Sequence, residues 1–281
     1  KELKEKLSSK EIFFEGSYDL VDRFWSERPK LFFHPVWELE LSQSGISRRE
    51  KLALIREKME EKGANAHLLT TLEDIAWLLN LRGEDIHCNP VFLSYLYITK
   101  DDCILFAGNR ERDTEVFSKD IRQHLSEDGV RLQCYKDVYE FTAGLSAKKV
   151  LLNPKTVNQR LLDNLSVHCS LISSGNFTTA LKALKNETEL CNMRNAHIKD
   201  GAAVTKFLYY MKEYKKDLAA GQWKGDPLTE IKAAEILEGF REEQDGYLNI
   251  DVITQTDINQ KILQNMLDLL KQLHKQYPNY I

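Results

Sequence analysis

The amino-acid sequence predicts an α/β fold, a mixed β-sheet flanked by helices, followed by a mainly helical segment. Short β-rich runs alternate with helical patterns between residues 47 and 172. Two β-rich runs, 92–99 and 103–106, are separated by the turn-forming Lys100-Asp101-Asp102, which indicates a hairpin. Two long helical patterns follow residue 185. A chain of 281 residues is long enough for about two domains.

The first elements lie before residue 80. Pro29 and Pro35 each lack an N–H, so the stretch between them is expected to be an extended linker packed by its aromatic residues. Ser47 is a plausible N-cap for a helix that ends near Gly63. A strand is expected over residues 66–69, and Thr71 with its following acids predicts the capped start of a short helix over 75–79.

Hydrophobic periodicity predicts the remaining elements. Helices are expected over 113–124, 138–143 and 157–165, and strands over 132–135, 150–152 and 168–172. A second unit is expected after Ser173-Ser174-Gly175-Asn176, with helices over 186–214 and 228–241 and a loop over 221–227. Residues 258–276 carry one apolar stripe, which must be buried against the same chain or a partner.

Composition excludes several classes of protein. The formal net charge of −4 provides no broad positive field, so we expect no nucleic-acid partner. We also expect no membrane association, because no segment approaches the roughly 20 apolar residues of a membrane span and no signal peptide is evident. The five cysteines are scattered without a C-x-x-C pair, which argues against disulfides and thiolate zinc and favours a cytoplasmic location.

The sequence contains no catalytic or metal-binding motif that can be recognised by itself. It lacks H-E-x-x-H, phosphate-loop, G-x-G-x-x-G and G-x-S-x-G patterns. None of the seven histidines has another histidine at i+3 or i+4. Asp245, Asp251 and Asp257 are more simply loop or cap residues than metal ligands. We therefore predict neither catalytic residues nor metal ligands in this chain.

The loop over residues 80–90 is the most unusual local feature. It places Arg82, Asp85 and Asn89 between an apolar helix and an apolar strand. Polar loops fixed between rigid elements often carry binding residues. The alternative is an ordinary connection with an internal Arg–Asp pair.

Four separated blocks of sequence carry a family resemblance. They are residues 16–29, 74–92, 185–204 and 240–247, and the second contains Trp77-Leu78-Leu79-Asn80-Leu81-Arg82-Gly83. Together they resemble the Xaa-Pro aminopeptidase (aminopeptidase P) family of creatinase/prolidase-like metallopeptidases. The resemblance implies a creatinase/prolidase N-terminal-type domain followed by the first helices of a pita-bread domain.

The resemblance also implies a division of the chain. Residues 1–45 would be a remnant of a first domain and its linker, and 46–175 the creatinase N-terminal-like domain. Residues 176–281 would be a partial pita-bread domain with an amphipathic C-terminal helix. Because the chain begins without methionine in a charged, helix-like stretch, we expect that an upstream part has been removed.

Intact members of the family remove an N-terminal residue that precedes proline. The resemblance implies two divalent metals, usually manganese, held by two Asp, one His and two Glu downstream of Gly246-Tyr247. This sequence continues Leu248-Asn249-Ile250-Asp251 instead, and no ligand can be transferred. We therefore expect no cofactor in this chain and a non-catalytic role in substrate gating and oligomerisation. The expected partners are proline-containing peptides and further copies of the chain.

The same resemblance implies that the loop with Arg82, Asp85 and Asn89 faces the substrate cleft. Asp85 is expected to orient Arg82, whose guanidinium would offer donors to a peptide carbonyl or carboxylate. Two other interpretations remain open. The chain is either a metal-free pseudo-peptidase that binds peptides or proteins, or a complete enzyme whose printed sequence omits an internal stretch.

Overall fold

Two units make up the described part of the chain. The computed structural model describes residues 31–86, 89–109 and 116–247, with the single residues Lys6, Val21, Trp25 and Lys275. The first unit comprises the described residues of Lys1–Glu38, Arg48–Asp85 and Val91–Ala183. The second comprises those of Leu39–Ser47, Ile86–Pro90 and Leu184–Ile281.

A six-stranded mixed sheet forms the centre of the first unit. The strands in chain order are β1 (Trp37–Glu38), β2 (Ala66–Leu69), β3 (Leu81–Arg82), β4 (Ser94–Thr99), β5 (Cys103–Ala107), β6 (Val130–Gln133), β7 (Lys149–Leu152) and β8 (Ser170–Ser173). The order across the sheet is β6-β5-β4-β2-β7-β8. Strand β4 is antiparallel to β2 and β5, whereas the other three pairs are parallel. The predicted β4–β5 hairpin is confirmed, and β1 and β3 form a separate antiparallel pair.

Nine helices occur among the described residues. They are α1 (Leu41–Ser44), α2 (Arg48–Glu61), α3 (Leu72–Leu79), α4 (Lys119–Glu127), α5 (Asp137–Ala143), α6 (Gln159–His168), α7 (Phe177–Ala183), α8 (Glu187–Ala219) and α9 (Glu230–Glu242). Side-chain caps fix several of their starts. Ser118 Oγ accepts from Ile121 N in α4, and Asn158 Oδ1 accepts from Leu161 N in α6.

The helices cover both faces of the sheet. Apolar side chains of α2, α3 and α4 pack on one face, including Leu52, Ile75 and Leu125. Side chains of α5 and α6, including Val138 and Leu165, pack on the other. Strands buried on both faces have continuous apolar sequences, which is the pattern of β2, β4 and β5. The predicted fold class, a mixed sheet flanked by helices, is confirmed.

Three local expectations need correction. Helix α7 was not expected, because it is only seven residues long and follows a Ser/Gly/Asn segment. Helix α3 begins at Leu72 rather than Ile75, and the Thr71 hydroxyl donates to Asp74 Oδ2 at 2.6 Å instead of capping a backbone N–H. The helix expected over 113–124 is interrupted, because Phe117 forms a bridge with Val36 and Ser118 caps α4, which starts at Lys119; residues 113–115 lie outside the described residues.

The second unit is built on α8 and α9. Asn186 and Glu189 form a reciprocal capping box at the start of the 33-residue α8. The Asn186 amide also donates to Ser44 O at 2.9 Å, which fastens the end of α1 to this helix. Phe207, Met211 and Leu237 form the apolar contact between α8 and α9.

Some expectations lie outside the described residues. The amphipathic pattern over 258–276 and almost all of residues 1–30 belong to that part of the chain. Within the described residues, every helix is too short or too polar to span a bilayer.

His67 is a fully buried histidine in the central strand β2. Its Nδ1 lies 2.9 Å from Leu151 O of β7, so Nδ1 carries a proton and donates it. Burial lowers the pKa of His67 from 6.5 to about 4, although the Leu151 carbonyl and Asp74 act in the opposite direction. The ring is therefore neutral in the folded protein at pH 7.

We predict a pH-dependent loss of stability that arises from His67. His67 binds its second imidazole proton near pH 6.5 in the unfolded chain but only near pH 4 in the folded chain. The free energy of unfolding is therefore highest above pH 6.5 and decreases as the pH falls from 6.5 to 4. Between pH 7 and pH 5 the loss should be about 2 kcal/mol. Urea unfolding at both pH values should show a smaller pH effect for His67→Gln. The exposed-site control His168→Gln should retain the full effect, and equal slopes for both variants would contradict the assignment.

Candidate functional site

The loop that carries Arg82, Asp85 and Asn89 begins at the C-terminal end of α3. Asn80 terminates this helix in the left-handed conformation, with φ of 54°. Its backbone N–H bonds to the carbonyls of Ala76 and Trp77. Asparagine tolerates this conformation better than most residues, so the chain can reverse here without glycine.

Two buried cations of α2 hold the end of α3. Arg48 Nε donates to Leu79 O at 2.8 Å, and Lys51 Nζ donates to Trp77 O at 2.8 Å and to Asn80 Oδ1 at 2.7 Å. The Lys51 ammonium also lies 4.2 Å from the centre of the Trp77 ring. Positive charge is favourable at this position, because a helix carries partial negative charge at its C-terminus.

Arg48 extends this arrangement into a network of charges. Its guanidinium pairs with Glu38 of β1 and with Asp128 Oδ2, the latter at 3.0 Å. Glu38 in turn accepts from His124 Nδ1 of α4 at 2.8 Å. This carboxylate raises the pKa of His124 above its ordinary value. The network ties β1, α2 and α4 to the end of α3.

Arg82 takes part in the same arrangement instead of the expected pair with Asp85. Its Nη1 donates to Ala76 O at 3.0 Å and to Leu81 O at 2.9 Å. The expected internal Arg82–Asp85 pair is wrong, because the Asp85 carboxylate is used by other described residues. The guanidinium is nevertheless held in a fixed orientation by two backbone carbonyls.

Asp85 joins two distant segments of the first unit. Its Oδ1 accepts from His34 N at 2.7 Å and lies 3.1 Å from His34 Nδ1, while Oδ2 accepts from Leu93 N at 2.7 Å. The Asp85 side chain is only 2% exposed, whereas that of His34 is 40% exposed. Asp85 therefore fixes the linker before β1 against the start of β4.

Gly83 allows the two limbs of the loop to approach closely. A Cβ atom at this position would lie 2.7 Å from Phe92 Cβ, which no side chain can accommodate without a shift. Next to it, Asp85 N donates to Val91 O at 3.1 Å. Only glycine permits this approach.

Asn89, the third candidate, belongs to the second unit. Its N–H donates to Ile86 O at 3.1 Å, and the two residues form an isolated antiparallel bridge. The first unit thus holds Arg82, at the end of β3, and Asp85, three residues further on, without pairing them. A role for all three residues near substrate stays a prediction.

A second buried polar cluster was missed from the sequence. Asp74 pairs with Lys182 at 2.8 Å, and its Oδ2 accepts from Thr71 and Asn176. Burial alone would raise the pKa of Asp74, but Lys182, Thr71 and Asn176 outweigh it and the pKa is lowered. Asn176 and Lys182 lie about a hundred positions from Thr71 and Asp74 in the chain, so no local pattern could have revealed that they join them. The contact between His34 and Asp85 could not be predicted either, because these two residues lie 51 positions apart in the chain.

The acids in the described residues do not assemble into a metal centre. Glu38, Asp74 and Asp200 are each paired with a cationic side chain. Nowhere in residues 31–86, 89–109 or 116–247 do three His, Cys, Asp or Glu side chains come together as ligands. This part of the chain therefore does not fit a pair of divalent metals.

Comparisons with known proteins agree with this architecture. A family profile described as the creatinase/prolidase N-terminal domain matches residues 27–189. A probable Xaa-Pro aminopeptidase P from Sordaria macrospora is 34% identical over 258 residues, which cover 87% of this chain and 40% of that protein. The Xaa-Pro aminopeptidase app-1 of Caenorhabditis elegans is 33% identical over 244 residues, which cover 84% and 37%.

A solved structure shows the same likeness. The crystal structure of X-prolyl aminopeptidase from Caenorhabditis elegans, described as a cytosolic enzyme with a di-nuclear active site, matches with a TM-score of 0.75. The match has 30% identity and covers 87% of this chain and 39% of that one. This chain belongs to the creatinase/prolidase N-terminal domain family. Within it, the predicted resemblance to Xaa-Pro aminopeptidase P is confirmed, and the chain spans about two fifths of the length of those relatives.

We predict that Asp85→Asn destabilises the first unit by about 2 kcal/mol, since it leaves an amide donor facing a backbone donor in a buried position. Urea unfolding should show this loss relative to the wild-type chain. The adjacent exposed-residue control Glu84→Gln should change stability by less than about 0.5 kcal/mol. Equal stabilities for the two variants would show that Asp85 does not hold the linker.

Proposed function

We propose that this chain is the non-catalytic front portion of an Xaa-Pro aminopeptidase, which helps to select peptides and does not cleave them. The observation that carries this proposal is the extent of the family match. It covers 87% of the chain but only 40% of the relative from Sordaria macrospora. The part in common has a complete two-faced α/β core, so it can provide a rigid wall for a cleft.

The sequence after Tyr247 supports a non-catalytic role. In the family that the chain resembles, the metal ligands follow this position, whereas here Leu248-Asn249-Ile250-Asp251 follows it. The two divalent metals of the intact enzyme, which we propose to be manganese, would be held by ligands outside the described residues. A cytoplasmic location is proposed because the matched enzyme from Caenorhabditis elegans is described as cytosolic.

The loop after α3 is the proposed contact with proline-containing peptides. Two carbonyls orient the Arg82 guanidinium, and Asp85 fixes the backbone on either side of the loop. A fixed guanidinium is suited to binding a peptide carbonyl or carboxylate, because little further side-chain conformational entropy is lost when the peptide binds. Arg82, Asp85 and Asn89 are therefore proposed to lie near substrate, with Asp85 acting through loop position.

We predict that the 281-residue chain, supplied with manganese, neither cleaves an Xaa-Pro tripeptide nor binds it tightly alone. Turnover of the peptide is measured by a kinetic assay and its binding by calorimetry, and the intact mass checks that the protein tested is the 281-residue chain.

In an intact enzyme that contains this portion, Arg82→Ala should lower kcat/KM about tenfold, which corresponds to roughly 1.4 kcal/mol. Arg49→Ala, which removes an exposed cation of α2, is the matched control.

Other outcomes have distinct meanings. Manganese-dependent turnover by the 281-residue chain would show a complete enzyme and contradict a non-catalytic role. Tight peptide binding without turnover would instead favour a metal-free pseudo-peptidase that works as a binding module. Unchanged kinetics of Arg82→Ala would exclude the loop from the substrate site.

We further propose that the chain associates with copies of itself through the second unit. Helices α8 and α9 expose several large apolar side chains, including Ile198 at 71%, Tyr209 at 66% and Ile231 at 74%. Ile198, Leu208 and Tyr209 lie close to one side of α8 at helical spacing. Apolar surface of this kind is commonly covered by another protein surface.

We predict that the wild-type chain is oligomeric in multi-angle light scattering. The double variant Ile198→Asp/Leu208→Asp should shift it towards monomer, because association would bury the new charges. A control double variant at exposed polar positions of α4 in the first unit, Gln123→Asp/Ser126→Asp, should leave the association largely intact. A wild-type monomer would contradict the proposal.

A further inference from the structure

His34 lies in the extended linker before β1, and the chain on both sides of it is fixed. Phe33 is buried, and the centre of its ring lies 5.6 Å from that of Tyr135. Val36 is also buried, and its N–H donates to Val116 O at 2.8 Å. His34 therefore projects from an ordered backbone, although its own side chain is 40% exposed.

Two contacts fix the orientation of the His34 ring. Nδ1 lies 3.1 Å from Asp85 Oδ1, and the Phe32 ring packs edge-on with 4.8 Å between the ring centres. Because a carboxylate accepts hydrogen bonds, Nδ1 carries the proton of the neutral imidazole and Nε2 keeps its lone pair. The Asp85 side chain is buried, so the exposed part of the His34 ring is the edge that points away from it, which includes Nε2.

The imidazole adds little to what already holds Asp85 in place. Both oxygens of its carboxylate accept from backbone N–H groups, Oδ1 from His34 N and Oδ2 from Leu93 N. A further bond to a side chain as exposed as that of His34 contributes little stability, because water competes for it. The main effect of this bond is on the histidine, whose tautomer and direction it sets. Carboxylates orient imidazoles in the same way where Nε2 is presented to a substrate.

The linker and the loop after α3 run side by side. The antiparallel β1–β3 pair places Trp37 opposite Arg82. Three residues beyond this pair on each segment, His34 meets Asp85. We propose that His34 Nε2 accepts a hydrogen bond from a backbone N–H of the peptide substrate, an assignment that rests on the function proposed for the loop. Asp85 is then the positioning residue of this contact.

The two side chains have complementary hydrogen-bonding capacity. A guanidinium has only donors, so Arg82 can bind the carbonyls and the carboxylate of a peptide but none of its N–H groups. The neutral ring of His34 supplies the acceptor that an N–H requires. An extended peptide has both kinds of group along its backbone, and each is costly to leave without a partner when it is removed from water.

Two substitutions distinguish the two ring nitrogens of His34 in an intact enzyme that contains this portion. His34→Asn keeps an amide nitrogen near the position of Nδ1, which can still donate to Asp85, and removes Nε2. The urea midpoint should therefore stay at the wild-type value. The kcat/KM for an Xaa-Pro peptide should fall about fivefold, through KM, because one hydrogen bond outside the scissile bond is lost.

His34→Gln has the opposite effect on the two nitrogens. Its side-chain amide reaches the position of Nε2 with an oxygen acceptor but cannot bond to Asp85 in the same way. This variant should recover part of the kcat/KM that His34→Asn loses. The matched control is His168→Asn, at an exposed position at the end of α6, which should have wild-type kinetics.

Ester substitution in the peptide identifies the N–H that His34 accepts. Each amide N–H on the C-terminal side of proline is replaced in turn by an ester oxygen. One replacement should raise KM about fivefold for the wild-type enzyme. The same replacement should leave KM of His34→Asn unchanged, because the bond is already missing there. Equal effects of every replacement on both enzymes would contradict the proposal.

The tautomer of His34 can be tested on the 281-residue chain itself. Long-range proton–nitrogen NMR spectra of the imidazoles should show His34 protonated at Nδ1. The signal is assigned by its loss in His34→Asn. A ring protonated only at Nε2 would overturn the proposal, because Nε2 could not then accept.

The kinetic results separate this proposal from the function proposed for the loop. A lower kcat/KM for Arg82→Ala together with wild-type kinetics for His34→Asn would overturn the role of His34 alone. Unchanged kinetics in both variants would remove the loop from the substrate site and overturn both proposals. A larger loss in His34→Gln than in His34→Asn would show that the ring acts only through its bond to Asp85.

Discussion

The last turn of α3 is the point on which much of the first unit depends. Its carbonyls carry the negative end of the helix, and leaving one buried without a donor would cost about 1–3 kcal/mol. Arg48, Lys51 and Arg82 each donate to one of these carbonyls. Two of these cations come from one face of α2, and the third comes from the strand that follows. The helix end, the neighbouring helix and the start of the loop are therefore fixed together.

This arrangement explains what the recognisable sequence block does physically. Within residues 77–85, Trp77 receives the Lys51 ammonium, Asn80 terminates the helix in a left-handed conformation, and Gly83 admits Phe92. Arg82 and Asp85 complete the block by binding carbonyls and backbone N–H groups. The block that carries the family resemblance is thus largely a structural device, and the proposed contact with peptide relies on its rigidity.

Elements whose burial leaves a regular apolar pattern could be predicted from the sequence. The sheet strands and helices α2, α5, α6, α8 and α9 were found within a few residues, because each must direct an apolar face towards a core. Polar contacts followed no such rule. Thr71 bonds to the Asp74 side chain, and Asp85 bonds to His34, 51 positions earlier. Such partners depend on which segments the fold brings together. The prediction of an Arg82–Asp85 pair, which was based on proximity in sequence, was therefore wrong.

The order of the strands has a consequence for how the chain folds. Strands β4 and β5 are neighbours in sequence and can pair early, whereas β2 also pairs with β7, which joins Ala66 to Val150. Pairing over so long a loop is slow, because closure entropy is lost before the contacts form. During synthesis the edge of β2 that pairs with β7 therefore remains unpaired until β7 has been made. This interval is when the half-built sheet is most exposed to mispairing with other chains.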